Sequence, residues 1–131
     1  TTEERIERVE RFLIEQLALH QKGDIAPAVR HLWQRRGQVR ICEMTRELGI
    51  GERQLQRKFL EYIGATPKQT ARLVRFIHAY QKLRQPFESL TRAAHLSGYY
   101  DQAHFIREFK EFSGLTPRQL LSRSQVSSFE L

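Results

Sequence analysis

One cysteine, Cys42, in 131 residues excludes an intramolecular disulfide, and no Cys-x-x-Cys pair is present to hold zinc. The five histidines (His20, His31, His78, His95 and His104) fall at no ligand spacing, so neither a metal nor another cofactor is expected. Proline and glycine are scarce, at four and seven residues, while helix-favouring Glu, Gln, Leu, Arg and Ala abound. That balance predicts an all-α fold. No β-alternation of useful length and no low-complexity tract occurs. No apolar run approaches the ~20 residues of a membrane-spanning helix, so no membrane partner is expected. The amino end lacks the apolar core of a signal peptide, and the expected compartment is the reducing cytoplasm. A Gly-rich phosphate loop, a Ser-His-Asp arrangement and a paired-carboxylate pocket are all missing, which argues against an enzyme. The first residue is Thr1 rather than Met, as in a fragment of a longer protein.

What is present begins with charge. The chain carries a net +7, divided unevenly: residues 1–20 hold a net −2 and residues 21–131 a net +9. A basic body behind an acidic leading helix suits a polyanionic partner.

The second feature is a repeat. "GATPKQ" at 64–69 returns as "GLTPRQ" at 114–119, fifty positions later. Gly suits the left-handed residue that closes a helix, Thr is a good N-cap, Pro is tolerated at the first helical position, and Gln three residues after Thr completes a capping box. At the same offset Leu55 falls on Phe105, Arg57 on Arg107 and Phe59 on Phe109. Gly49 matches Gly98 only if the second copy has one extra turn residue. Each unit reads as a short helix, a Gly-containing turn and a longer helix, which is a helix-turn-helix.

Along the chain, Ile6, Val9, Leu13 and Leu17 form one stripe of a leading amphipathic helix over 1–22. The first helix-turn-helix subdomain then spans 23–66. It comprises a helix at 25–36 with Ile25, Val29, Leu32 and Trp33 inward and Gly37 as its stop, then helices at 40–48 and 52–63. Asp24 is a candidate cap, and Cys42 is expected to be a small core residue. A joining helix over 67–86 follows, with Leu73, Val74, Ile77 and Tyr80 as its buried stripe and Pro86 as its stop. The second subdomain, 87–131, has helices at about 90–97, where Ser89 is the candidate cap, and about 101–113. A short helix begins at Pro117, with a tail that frays from Ser122. Tyr99 and Tyr100 are expected to pack in the core or the turn.

"GYYDQAHFIREFKEFSGLTPRQL" in the second unit, with "LGIGERQLQRKFLEYIGATPKQ" in the first, resembles the signature of the AraC/XylS family of bacterial transcription regulators. The likeness covers about residues 25–123. It implies two tandem helix-turn-helix subdomains, each a homeodomain-like three-helical unit, joined by a long helix. It also implies sequence-specific binding of double-stranded DNA, a role as an activator, RNA polymerase as a protein partner, and an effector or dimerisation segment before Thr1. Departures from the pattern are Gly51 where Ser often caps the first recognition helix, Thr45 and Ala103 where Ala and Ser are usual, and Leu120-Leu121-Ser122-Arg123 where an aromatic and Arg are common.

In a helix-turn-helix the second helix enters the major groove. With Leu55, Phe59 and Ile63 inward, Arg53, Gln56 and Arg57 point away from the core, and the family's base-reading positions fall on the same three residues. Arg pairs with guanine and Gln with adenine through two hydrogen bonds on one base edge. A merely solvated polar face is the alternative for this trio. In the second unit Phe105 and Phe109 turn inward, leaving Ala103, His104 and Arg107 as base-reading candidates. His104 is open between packing and DNA contact, and Arg107 between DNA and an ion pair with Asp101 or Glu111. Gln102, Lys58, Lys110 and Arg75 are the phosphate candidates, joined by Lys82 and Arg118. Because one chain carries both readers, a monomer is expected. The competing functional class is an all-helical protein-interaction module without specific DNA binding.

Overall fold

A computed structural model of the chain describes residues 2–19, 25–86 and 89–129. Every regular element among them is an α-helix: α1 (Thr2–Leu19), α2 (Ala26–Gln34), α3 (Ile41–Leu48), α4 (Glu52–Tyr62), α5 (Pro67–Leu83), α6 (Leu90–Leu96), α7 (Gln102–Ser113) and α8 (Pro117–Phe129). Two compact units form, 1–77 and 78–131, and their boundary falls inside α5.

In the first unit α1 packs on α2, α2 on α3 and α3 on α4. The core joins Ile25, Ala28, Val29 and Leu32 with Met44, Leu55 and Phe59, and Ala71 of α5 closes it. Val39, Ile41, Leu48, Ile50 and Ile63 cover its edge. This is the three-helix arrangement expected of the unit, with α5 as far as Ile77 added. Ile6 is buried and Val9 half-buried, so the α1 stripe lies against its own unit. Asp24 and the side chains of Leu13 and Leu17 lie outside the described residues.

Three expectations for packed residues fail, one of them Tyr100, which is 91% exposed. Cys42 is exposed, because α3 is only eight residues long and turns Met44 inward instead. Leu73 is half-buried, while Val74, Ile77 and Tyr80 fill the buried side of α5.

Helix ends follow the local chemistry. At α5 the Thr66 amide donates to Gln69 Oε1 (2.9 Å) and the Gln69 amide donates to Thr66 Oγ1 (3.1 Å). At α8 the Thr116 amide donates to Gln119 Oε1 (2.9 Å) and the Gln119 amide to Thr116 Oγ1 (3.2 Å). Both capping boxes therefore satisfy two otherwise orphaned donors reciprocally. Gly114, with φ +79°, ends α7, and its amide donates to the Lys110 carbonyl at 2.8 Å. Ser89 caps α6, its hydroxyl accepting from the Arg92 amide at 3.1 Å. The helix α8 runs to Phe129, past Ser122 where the sequence pattern frays it.

The second unit packs α6 on α7 and α7 on α8. Its centre is an aromatic run in which Tyr99 and Phe105 rings lie 5.1 Å apart and Phe105 and Phe109 rings 5.6 Å apart, the latter edge-to-face. Offset and edge-to-face geometries let the positive ring edge meet the negative ring face.

Candidate nucleic-acid interface

Each unit presents one candidate recognition helix after a tight turn. In the first, Gly49 ends α3 in the left-handed region (φ +68°), and the Ile50 amide reaches back to the Thr45 carbonyl at 3.3 Å. In the second, the Tyr99 amide reaches back to the Ala94 carbonyl at 3.0 Å. Ile50 and Tyr99 thus do the same job, each tucking an apolar side chain under the turn. The one extra residue of the second turn is Tyr100, which is 91% exposed, whereas Tyr99 is 2% exposed.

The two recognition helices start differently. Gly51 leads α4 in an extended conformation and offers no side-chain cap. Asp101 leads α7, and its Oδ1 accepts from the His104 amide at 2.7 Å. A carboxylate at an N-terminus also complements the helix dipole.

On α4, Leu55 and Phe59 are buried and Arg53, Gln56 and Arg57 are exposed, on the side turned away from the core. On α7, Phe105, Glu108, Phe109 and Ser113 are buried, while Ala103, Arg107 and Lys110 are exposed. His104 is half-buried: its ring meets Tyr99 edge-on at 5.2 Å, and its Nε2 lies 4.0 Å from Glu108 Oε2. Its imidazole is therefore turned along the unit's own surface. Gln102 is also half-buried, and its Oε1 accepts from Thr91 Oγ1 at 2.9 Å, tying the start of α7 to α6. Lys58 and Arg75 are half-buried in the first unit. A comparable brace there is His31, whose Nδ1 lies 3.2 Å from Glu47 Oε2 and joins α2 to α3.

Two side chains outside the sequence-derived candidates share the outward-facing steps. Leu60 is 53% exposed on α4, and Ile106 is half-buried on α7. The signal that would have found them is the helical step itself: Leu60 lies seven residues after Arg53, and Ile106 three after Ala103. Among the described residues no group of three or more His, Cys, Asp or Glu could hold a metal ion. No helix among them is long and apolar enough to cross a membrane.

Comparison with known proteins agrees with this geometry. A family model described as a helix-turn-helix domain matches residues 44–123. The transcriptional regulator GbdR of Pseudomonas aeruginosa is 30% identical over 80 residues, 61% of this chain and 22% of its own length. The transcriptional activator RhaS of Pectobacterium carotovorum is 32% identical over 78 residues, covering 60% of this chain and 27% of its own. The chain thus spans about a quarter of these curated relatives. Among solved structures, an AraC-type regulator from Chromobacterium violaceum shares the fold, with a TM-score of 0.70 at 23% identity over 76% of this chain and 89% of that one. A probable AraC family regulator from Rhodopseudomonas palustris gives 0.61 at 27% identity over 74% and 96%. The chain belongs to the AraC/XylS-type helix-turn-helix family, and it is a DNA-binding domain of a transcription regulator.

Proposed function

We propose that this domain serves a bacterial, cytoplasmic transcription activator and that one chain addresses two successive major-groove segments of a duplex. The observation that carries the reading is the exposed trio Arg53, Gln56 and Arg57 opposite buried Leu55 and Phe59. These are the residue types that make paired hydrogen bonds to guanine and adenine. In the second unit Ala103 and Arg107 hold the matching role, while the His104 ring is engaged with Tyr99 and lies beside Glu108. Lys58, Arg75, Gln102 and Lys110 contact phosphates, which position the protein without reading sequence. The domain carries out no catalytic step. RNA polymerase is the protein partner, and effector sensing or dimerisation belongs to the remaining length of the parent protein, a reading supported by relatives of which the matched stretch is only 22% and 27%.

Selection of bound sequences from random duplex DNA, followed by footprinting, tests this. The expected result is an enriched asymmetric site protected in two stretches about one helical turn (~34 Å) apart. Affinity should also fall steeply with salt as counterions are released. A single protected stretch would overturn the two-segment reading, and no enriched sequence would overturn specific reading altogether.

A further inference from the structure

The two recognition helices differ in chemistry along the face that meets DNA. Steps of three, four and seven residues line one side of an α-helix. It is with this spacing that the third helix of a homeodomain meets its bases. On α4 the series is Arg53, Gln56, Arg57 and Leu60; on α7, at the repeat offset of fifty, it is Ala103, Ile106, Arg107 and Lys110. Three members of the α4 series carry hydrogen-bonding groups suited to base edges. On α7 the first two members carry none.

Resting on the DNA-binding reading above, we infer that α7 reads its segment chiefly through thymine methyl groups, with Ile106 as the specificity-determining residue and Ala103 beside it. The C5 methyl of thymine is the apolar group that the major groove offers, and aliphatic side chains are what contact it. The helix-turn-helix fold does not itself call for an aliphatic residue at this step, since the counterpart of Ile106 in the first unit is the exposed Gln56. Nor does His104 supply the missing polar contact. Its ring packs against Tyr99 and lies beside the Glu108 carboxylate, which is itself 2% exposed. Arg107 remains as the one exposed guanidinium on this helix, so the α7 segment combines one guanine contact with a thymine-rich remainder.

The test uses the whole chain and its selected site. Thymines are replaced one at a time by deoxyuridine, which removes the methyl and keeps base pairing. At least one replacement in one segment should weaken binding roughly fourfold, the effect of exposing about one methyl group. Ile106→Ala should bind the unmodified site more weakly and become indifferent to that replacement. Ile106→Gln, which imports the first unit's residue, should keep the fold and shift the selected base at one position from thymine towards adenine. Unchanged affinity for every uridine-substituted site, or an Ile106→Ala protein that still senses the missing methyl, would overturn the inference while leaving DNA reading intact. Failure to enrich any site would instead overturn the reading on which it rests.

Discussion

Gly37 lies so close to α5 that a β-carbon on it would sit 2.7 Å from the amide nitrogen of Arg75 and would overlap the Ala71 carbonyl oxygen. Its φ of +73° is also in the left-handed region, and its amide donates to the Leu32 carbonyl at 2.8 Å. Both neighbours on α5 are main-chain atoms of a continuous helix, which cannot step aside as a flexible side chain can. Gly37 is therefore the point at which the end of α2 and the first turns of α5 meet backbone to backbone.

Gly37→Ala is expected to destabilise the first unit by roughly 2–4 kcal/mol, combining a left-handed side-chain residue with overpacking. Gly64, at φ +86°, has open space where its β-carbon would stand, with nothing within 4 Å. Its alanine variant should lose only about 1–2 kcal/mol. Denaturant midpoints of the two variants compare them directly, and equal losses would show that contact with α5 is not decisive.

Arg57→Ala should weaken specific binding by about 1–3 kcal/mol and relax preference at one base position. Lys110→Ala should weaken all sequences nearly alike and reduce the salt slope by about one. Competition binding against a panel of single-base variants separates the two. Uniform weakening by Arg57→Ala would make it a phosphate contact.

Thr66→Ala and Thr116→Ala each remove one half of a capping box and should each lose about 1 kcal/mol. The first should appear in the thermal stability of the unit holding α2–α4. The second should appear chiefly as faster amide exchange in the first turn of α8. Stability unchanged in both would mean that the Thr-Pro-x-Gln repeat is not what starts these helices.

Burial, with the nearby Glu7 carboxylate second, raises the pKa of Glu10 on α1 above the ordinary carboxylate value. The folded state then holds this proton more tightly than the unfolded chain, so its contribution to stability declines as pH rises through that interval. Glu10→Gln should be more stable than the parent at pH 7 and lose that advantage once the medium is acid enough to protonate Glu10 in both states. A difference that stayed constant with pH would contradict the assignment.

In dilute, DNA-free solution light scattering should give the mass of one chain. Two helix-turn-helix units on one polypeptide remove the need to dimerise for a second reader. The α1 stripe is engaged at home, with Ile6 buried in the chain's own structure. A dimer mass at micromolar concentration would overturn this and direct attention to Phe12 and Ile14, the exposed large apolar side chains among the described residues of α1.

What the sequence determined by itself was decided within a turn or two of helix. Thr66 and Gln69, Thr116 and Gln119, Ser89 and the closing Gly114 act on backbone groups three to five residues away, so their spacing alone names the helix ends. The inward course of Leu55, Phe59, Phe105 and Phe109 follows equally from helical periodicity and matches their burial. The tertiary structure decided what depends on neighbours distant in the chain. Tyr99 and Tyr100 are identical and adjacent, yet one joins the Phe105 ring and the other stands in solvent, because only the second turn has the additional residue. Cys42 lies outside a core that Met44 fills, His104 turns to Tyr99 and Glu108, and Gly37 meets α5. The places of Met44 and Gly37 are set by which side chain or backbone arrives from another helix, and local propensity carries no information about that arrival.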